Sequence, residues 1–137
     1  MNTEVKKARP LPRPTPTTKE FWDGAKRGEL MLQYDPKSKA YQFWPRQCSV
    51  KTGRRNLEWR KVSGKGTIYS FTTTIVPTAG FEDRVPYLVG LIELEEGVRM
   101  IGNIVNIKPE NVKVGMPVKV CFEKLSEDIN YFAFEPA

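Results

Sequence analysis

Residues 30–57 read LMLQYDPKSKAYQFWPRQCSVKTGRRNL, two short turn-bearing knuckles around a YQF strand. In a metal-binding ribbon of this outline each knuckle carries a Cys pair, because tetrahedral zinc takes four soft or borderline ligands from two opposed turns. Here the first knuckle offers Asp35 and Ser38, and the second offers Cys48 and Lys51. The chain has no His and only two Cys, Cys48 and Cys121. One chain therefore cannot assemble an ordinary Cys/His zinc site, and no metal ligand is expected. The ribbon reads as structural, so function must come from surfaces.

The chain has 137 residues, with 39% hydrophobic and 28% charged, enough for one compact unit or two small modules sharing a core. Its 11 Pro and 10 Gly favour short strands and turns over long helices. No apolar run approaches the ~20 residues of a membrane span. The N-terminal MNTEVKKARPLPRPTPTTKE lacks the apolar centre of a secretory signal, and the two distant Cys give no disulfide framework. A cytoplasmic location is the expectation. The net charge of +6 is uneven: residues 1–65 carry +10 and residues 66–137 carry −4. A basic front half points to an anionic partner, whether nucleic acid, a phosphorylated cofactor or an acidic protein face; the plainer reading is lysines that solvate the surface.

Residues 1–16 form a Pro-rich tail, with Pro10, Pro12, Pro14 and Pro16 favouring polyproline II. The pattern predicts a helix of about three turns from Thr17, with Thr17 and Glu20 as a capping box and Gly28 as the stop. Phe21, Trp22 and Ala25 share its apolar side, to be docked on the ribbon or, for Trp22, on a partner subunit. Strands are expected at 30–34 and 41–44, then a second knuckle turning at Thr52-Gly53. From Glu58 the pattern is all-β. A long strand runs to Val76, broken at Ser63-Gly64-Lys65-Gly66 by a bend or bulge. Ile68, Ser70, Thr72 and Thr74 are expected on one face, with Tyr69, Phe71, Thr73 and Ile75 on the other. Further strands are predicted at 87–94, 99–107, 118–125 and 131–134, with a hairpin turn at Glu95-Glu96-Gly97 and a short helical turn opened by Pro109. Five strands with that helical turn between the third and fourth match an OB-type barrel. The fold class is mainly β: a tail over 1–16, a helix and degenerate ribbon over 17–57, and a five-stranded OB barrel over 58–137.

The chain alone is poorly equipped for catalysis. It has no imidazole base and no Cys-His or Ser-His pair. Cys121 lies on the less apolar side of its strand and reads as inert. Cys48, flanked by Arg46 and Lys51, has neighbours that lower a thiol pKa, yet reads better as a relic ligand position. Gly64-Lys65-Gly66 lacks the length and Lys-Ser/Thr ending of a phosphate loop. OB barrels also bind single-stranded nucleic acid with aromatics in a basic groove, which Tyr69, Phe71, Arg60, Lys61 and Lys65 would have to supply. Glu93, Glu95 and Glu96 on the central hairpin oppose that reading, so nucleic acid is not the expected partner. A purely structural adaptor is the remaining alternative.

The segments EFWDGAKRGELMLQY, AYQFWPR, LEWRKVSGKGTIYSFTTT, PYLVGLIELEEGVRMIGNIV and VKVGMPVKVCFE, in that order, resemble acyl-CoA-associated OB-fold proteins with an N-terminal rubredoxin-like zinc ribbon. The resemblance covers roughly residues 17–136. The family's four zinc cysteines fall at or near Asp35, Ser38, Cys48 and Lys51, within about one residue in the second knuckle, and only one is Cys. Burial of Tyr34, Tyr41, Phe43 and Trp44, at about 2–3 kcal/mol each, is expected to replace the metal cross-link. The resemblance implies an accessory, non-catalytic subunit of a thiolase-like enzyme acting on acyl-CoA by thiolysis, acyl transfer or retro-aldol cleavage. The partner would carry the catalytic Cys and His, in a heterotetramer, with the coenzyme A thioester as shared substrate and no tightly bound cofactor. On that reading Arg46, Arg54, Arg55, Lys61 and Lys65 are candidates for the coenzyme A phosphates. Trp44 or Phe43 would stack on adenine or line an acyl tunnel. Trp22 and Phe81 are the candidate partner contacts, Phe81 because it tips a loop with no apolar neighbours in sequence.

Overall fold

The computed structural model describes residues 9–137, so what the sequence predicts for residues 1–8 of the tail lies outside the described residues. Residues 9–15 carry no helix or strand. Helix α1 spans Lys19–Lys26, shorter than the three turns expected. The Thr17–Glu20 capping box does not form. The N-cap is Thr18, and its hydroxyl instead accepts the Thr15 backbone N–H at 2.9 Å. Gly28, at φ +78°, takes the left-handed conformation that stops the helix. Asn130, from the far end of the chain, donates its amide to the Ala25 and Lys26 carbonyls at 3.2 and 3.3 Å. The helix is thus tied to the barrel through two carbonyls of its last turn.

A three-stranded antiparallel sheet follows, in the order β2 (Ala40–Gln42), β1 (Leu30–Asp35), β3 (Glu58–Val62). The sequence assigns residues 58–62 to the barrel, but β3 pairs along β1 from Leu30↔Val62 to Tyr34↔Glu58. The chain leaves the ribbon only at Ser63-Gly64.

The closed barrel comprises β4 (Lys65–Thr74), β5 (Tyr87–Leu94), β6 (Arg99–Ile104), β7 (Pro117–Lys124) and β8 (Asn130–Pro136), in the order β4-β5-β6-β8-β7. A 3-10 turn at Pro109–Asn111 lies between β6 and β7, where the sequence places it. The mainly β class and five-stranded OB-type barrel are as read from the sequence. One register differs. Ile68 pairs with Ile92 and Ser70 with Leu91, so Tyr69 is an extra residue on β4. This bulge reverses the alternation. Ile68 points into the barrel, Ser70 and Thr72 are exposed, and the half-buried Phe71 and Thr73 take over the inner side.

The barrel core is aliphatic and aromatic: Ile68, Leu88, Ile92, Leu94, Met100, Val118, Phe132 and Phe134 are buried. Phe132 extends it into the N-terminal module, with its ring 5.5 Å from that of Phe21 and 6.3 Å from that of Phe43. Helix, ribbon and barrel therefore share one apolar centre. No helix among the described residues is long and apolar enough to cross a membrane.

Candidate functional site

The ribbon closes around a buried carboxylate. Asp35 is 1% exposed, at the end of β1 where the first knuckle begins. Its Oδ2 accepts the Ser49 hydroxyl at 2.5 Å and the Thr52 hydroxyl at 3.0 Å. Its Oδ1 accepts the Lys37 backbone N–H at 2.9 Å and the Asn56 amide at 3.2 Å. The Ser49 hydroxyl, joined by Lys37 N–H, Ser38 and Thr52, holds the Asp35 carboxyl well below the usual carboxylate range, against the opposing effect of burial. Asp35 and Ser38 have two residues between them, as do Ser49 and Thr52. The second knuckle is therefore centred one residue beyond Cys48 and Lys51.

A second polar layer lies beneath. Gln33 donates to the Arg46 carbonyl at 2.6 Å and accepts its N–H at 2.8 Å. Gln42 donates to the Cys48 carbonyl at 3.2 Å and accepts the Val50 N–H at 3.0 Å. The cross-link expected of the aromatic quartet is thus made by hydrogen bonds. Tyr34 and Tyr41 pair with each other at 4.8 Å, while Phe43 and Trp44 turn toward Phe21, at 5.9 and 5.4 Å. The four positions do not fit zinc. Three are neutral hydroxyls, and both oxygens of the one carboxylate are already engaged by four donors. Among the described residues no group of three or more His, Cys, Asp or Glu could hold a metal ion.

The sequence-predicted site residues fall in several places. Arg46 and Arg55 come together in an open cleft of about 340 Å³, walled by Trp59 and Gln33 and bordered by Pro16 and Thr17. Arg54 is exposed on the adjoining turn, its carbonyl accepting the Ser49 N–H at 2.9 Å. Lys61 lies elsewhere, 3.9 Å from Glu29. Lys65 opens β4 opposite Lys119. Trp44 is 40% exposed and borders a different hollow with Pro10, Pro12, Trp22 and Tyr131.

The two expected partner contacts are both engaged within the chain. Trp22 is 5% exposed, packed against Phe21, Trp44 and Tyr131 at 5.0, 6.2 and 5.8 Å. Phe81 does have apolar company: it packs on Tyr87 at 5.3 Å, with the Arg9 guanidinium over its ring at 5.2 Å. Among the large apolar side chains left in the open, Ile75 and Val76 after β4 are 75% and 80% exposed, followed by Val114, Ile101, Val50 and Leu11.

The residues a nucleic-acid groove would need are dispersed. Arg60 lies over Tyr34 on the ribbon and pairs with Glu58, Tyr69 is covered by Arg99 at 3.7 Å, and Phe71 turns inward. Cys121 is half-buried, and burial pushes its thiol up, with Glu135 and Glu123 adding to the effect. It is not a poised nucleophile.

Comparison with known proteins agrees with this architecture. The family described as the ChsH2 C-terminal OB-fold domain matches residues 59–123. A DUF35 domain-containing scaffold protein of Methanocaldococcus jannaschii is 44% identical over 63% of this chain and 62% of its own length. A protein of the same name from Methanothermobacter thermautotrophicus is 38% identical over 69% of this chain and 77% of its own. The 3-oxo-4,17-pregnadiene-20-carboxyl-CoA hydratase alpha subunit of Mycobacterium tuberculosis is 33% identical over 85% of this chain, which spans only 36% of that subunit. Among solved structures, a chain of the Ltp2-ChsH2(DUF35) aldolase superposes with a TM-score of 0.82 at 26% identity, covering 92% of this chain and 98% of that one. With a helix, ribbon and OB barrel matched nearly end to end, and sequence identity of this extent to the archaeal scaffold proteins, the chain belongs to the DUF35 family.

Proposed function

We propose that this protein is a non-catalytic accessory subunit of an enzyme that acts on acyl-CoA. The observation that carries the reading is the near-complete match to one chain of the Ltp2-ChsH2(DUF35) aldolase, supported by the hydratase alpha subunit whose named substrate is a CoA thioester. The chain's own chemistry fits. It has no His, and burial pushes the Cys121 thiol up, away from the thiolate a nucleophile needs. The partner supplies the nucleophile and base; a thiolase-like subunit in a two-plus-two complex suits this role, with the thioester as shared substrate and no resident cofactor.

The Arg46–Arg55 cleft with Trp59 is the surface best suited to the nucleotide end of coenzyme A. Two guanidiniums suit phosphate oxygens, and an indole offers a stacking wall. The ribbon is metal-free on this reading, since Asp35 and its donors already close it. The location is cytoplasmic.

Affinity purification from the native host tests the proposal. The expected result is a thiolase-like chain recovered in equal amount, and a complex that binds the coenzyme A thioester at least tenfold more weakly when this chain carries Arg46→Glu/Arg55→Glu. Recovery of nucleic acid, or of a partner with no acyl-CoA activity, overturns the reading in favour of the nucleic-acid or adaptor alternative.

A further inference from the structure

A second concave site lies on the barrel, lined by other residues than the cationic cleft. It is a cavity of about 270 Å³ between the 77–86 loop, the start of β5, the end of β6 and the middle of β8. Leu88, Ile104 and Phe132 form apolar walls, and Phe81 and Tyr87 stand at the loop side. The charged groups that line it form one cluster, while Asn103 and Asn106 on its rim donate to the Leu88 carbonyl and to Glu135. Glu123 accepts Arg9 Nη1 at 2.9 Å on Oε2 and Arg84 Nη2 at 3.0 Å on Oε1. Arg9 reaches this point from the N-terminal segment, its side chain only 12% exposed.

The cluster has an excess of donors. Two guanidiniums face one carboxylate, which leaves a net charge of +1. Each guanidinium has five N–H donors, and the Glu123 bonds use one from each. Phe81 and Tyr131 cover the face of the Arg9 guanidinium, at 5.2 and 5.5 Å, so what Arg9 can still offer is its N–H edge. A charge surplus of this kind, beside apolar walls, is the arrangement that binds a carboxylate carrying an apolar body.

We infer that this cavity is a binding site for a small carboxylate with a single ring or a short acyl body, its carboxylate on Arg9 and Arg84 and its body against Leu88, Ile104 and Phe132. The size limit follows from the volume, which falls just below the roughly 300–1,000 Å³ of sites for drug-sized ligands. Arg9 contributes both a wall and a charge, so the N-terminal segment is part of the site.

The test uses the full chain, with phenylacetate as the probe and phenylacetamide as its neutral counterpart. Methyl NMR signals of Leu88, Ile104 and Ala133 report occupancy. Saturable shifts are expected with the acid, with at least tenfold weaker binding of the amide. Arg84→Met, an exposed position, should reduce acid binding to the amide's level and leave the amide unchanged. If these methyls do not respond, if acid and amide bind alike, or if Arg84→Met binds the acid as wild type does, the inference is wrong. A fold check on Arg84→Met by the same spectrum separates loss of binding from loss of structure.

Discussion

The Ser49 hydroxyl donates to Asp35 Oδ2 at 2.5 Å, joining the two knuckles of the ribbon at the place where a metal would otherwise join them. Around this bond the ribbon keeps the paired spacing of a metal site with oxygen side chains that bond one another. Asp35→Ala would leave Ser49, Thr52, Asn56 and the Lys37 N–H without their acceptor. A fall of several degrees in melting temperature is expected for that variant, and a smaller fall for Asp35→Asn, which keeps one acceptor oxygen. Prolonged treatment of the wild type with a chelator should leave its melting curve unchanged. A chelator-induced loss of stability would show that a metal closes the ribbon after all.

The same carboxylate predicts a pH dependence. Folding lowers the Asp35 pKa below its unfolded value, so the unfolded state binds more protons in that range. Its contribution to stability is therefore complete above the unfolded carboxylate value of about 4 and is lost as pH falls through the folded one. Glu123, lowered first by Arg84 and also by Arg9, acts in the same direction. Urea titrations from pH 6 to pH 2.5 should show stability falling below about pH 4, with a shallower fall in Asp35→Asn.

Phe132 links three units through its ring contacts with Phe21, Phe43 and Phe134. Phe132→Ala should cost about 3–5 kcal/mol. Because the residue is common to helix, ribbon and barrel, fluorescence of Trp22 and Trp44 and far-ultraviolet dichroism should lose cooperativity together. A variant whose ribbon melts separately with the barrel intact would show that the apolar centre is not shared.

Gly64, between β3 and β4, has φ +75° and lies against Val120; a Cβ there would sit 2.2 Å from Val120 Cγ1. Its carbonyl also accepts the Val120 N–H at 2.8 Å. Gly64→Ala meets both backbone strain and a filled space, and a loss of about 1–3 kcal/mol in urea denaturation is expected. Gly53→Ala, which has a similar φ but nothing within 4 Å, should cost less.

The barrel was legible because its signals are local. Alternation, the Glu95-Glu96-Gly97 turn and Pro109 each mark their element within a few residues. What escaped the sequence was long-range or off-register. The β3 strand reads as a continuation into β4, and only its pairing with β1, some thirty residues earlier, assigns it to the ribbon. The Tyr69 bulge adds one residue with no Gly or Pro to announce it. The polar knot was half visible: Asp35 and Ser38 stand out, but Cys48 drew the second knuckle to itself, and the matching spacing of Ser49 and Thr52 was the usable signal. Arg9 could not be placed at all, because its partner Glu123 lies at the other end of the chain.

The two-residue passage at Ser63-Gly64 and the amide of Asn130 on the last turn of α1 fasten the front of the molecule to the back at two separate points. The Phe132 ring, in contact with Phe21 and Phe43 on one side and Phe134 on the other, adds an apolar tie between the two. A protein gripping the ribbon and another gripping the barrel would be held at a fixed angle and spacing, like parts in a jig. The scaffold would then add to its binding surfaces a raised effective concentration of one active site at the exit of the next.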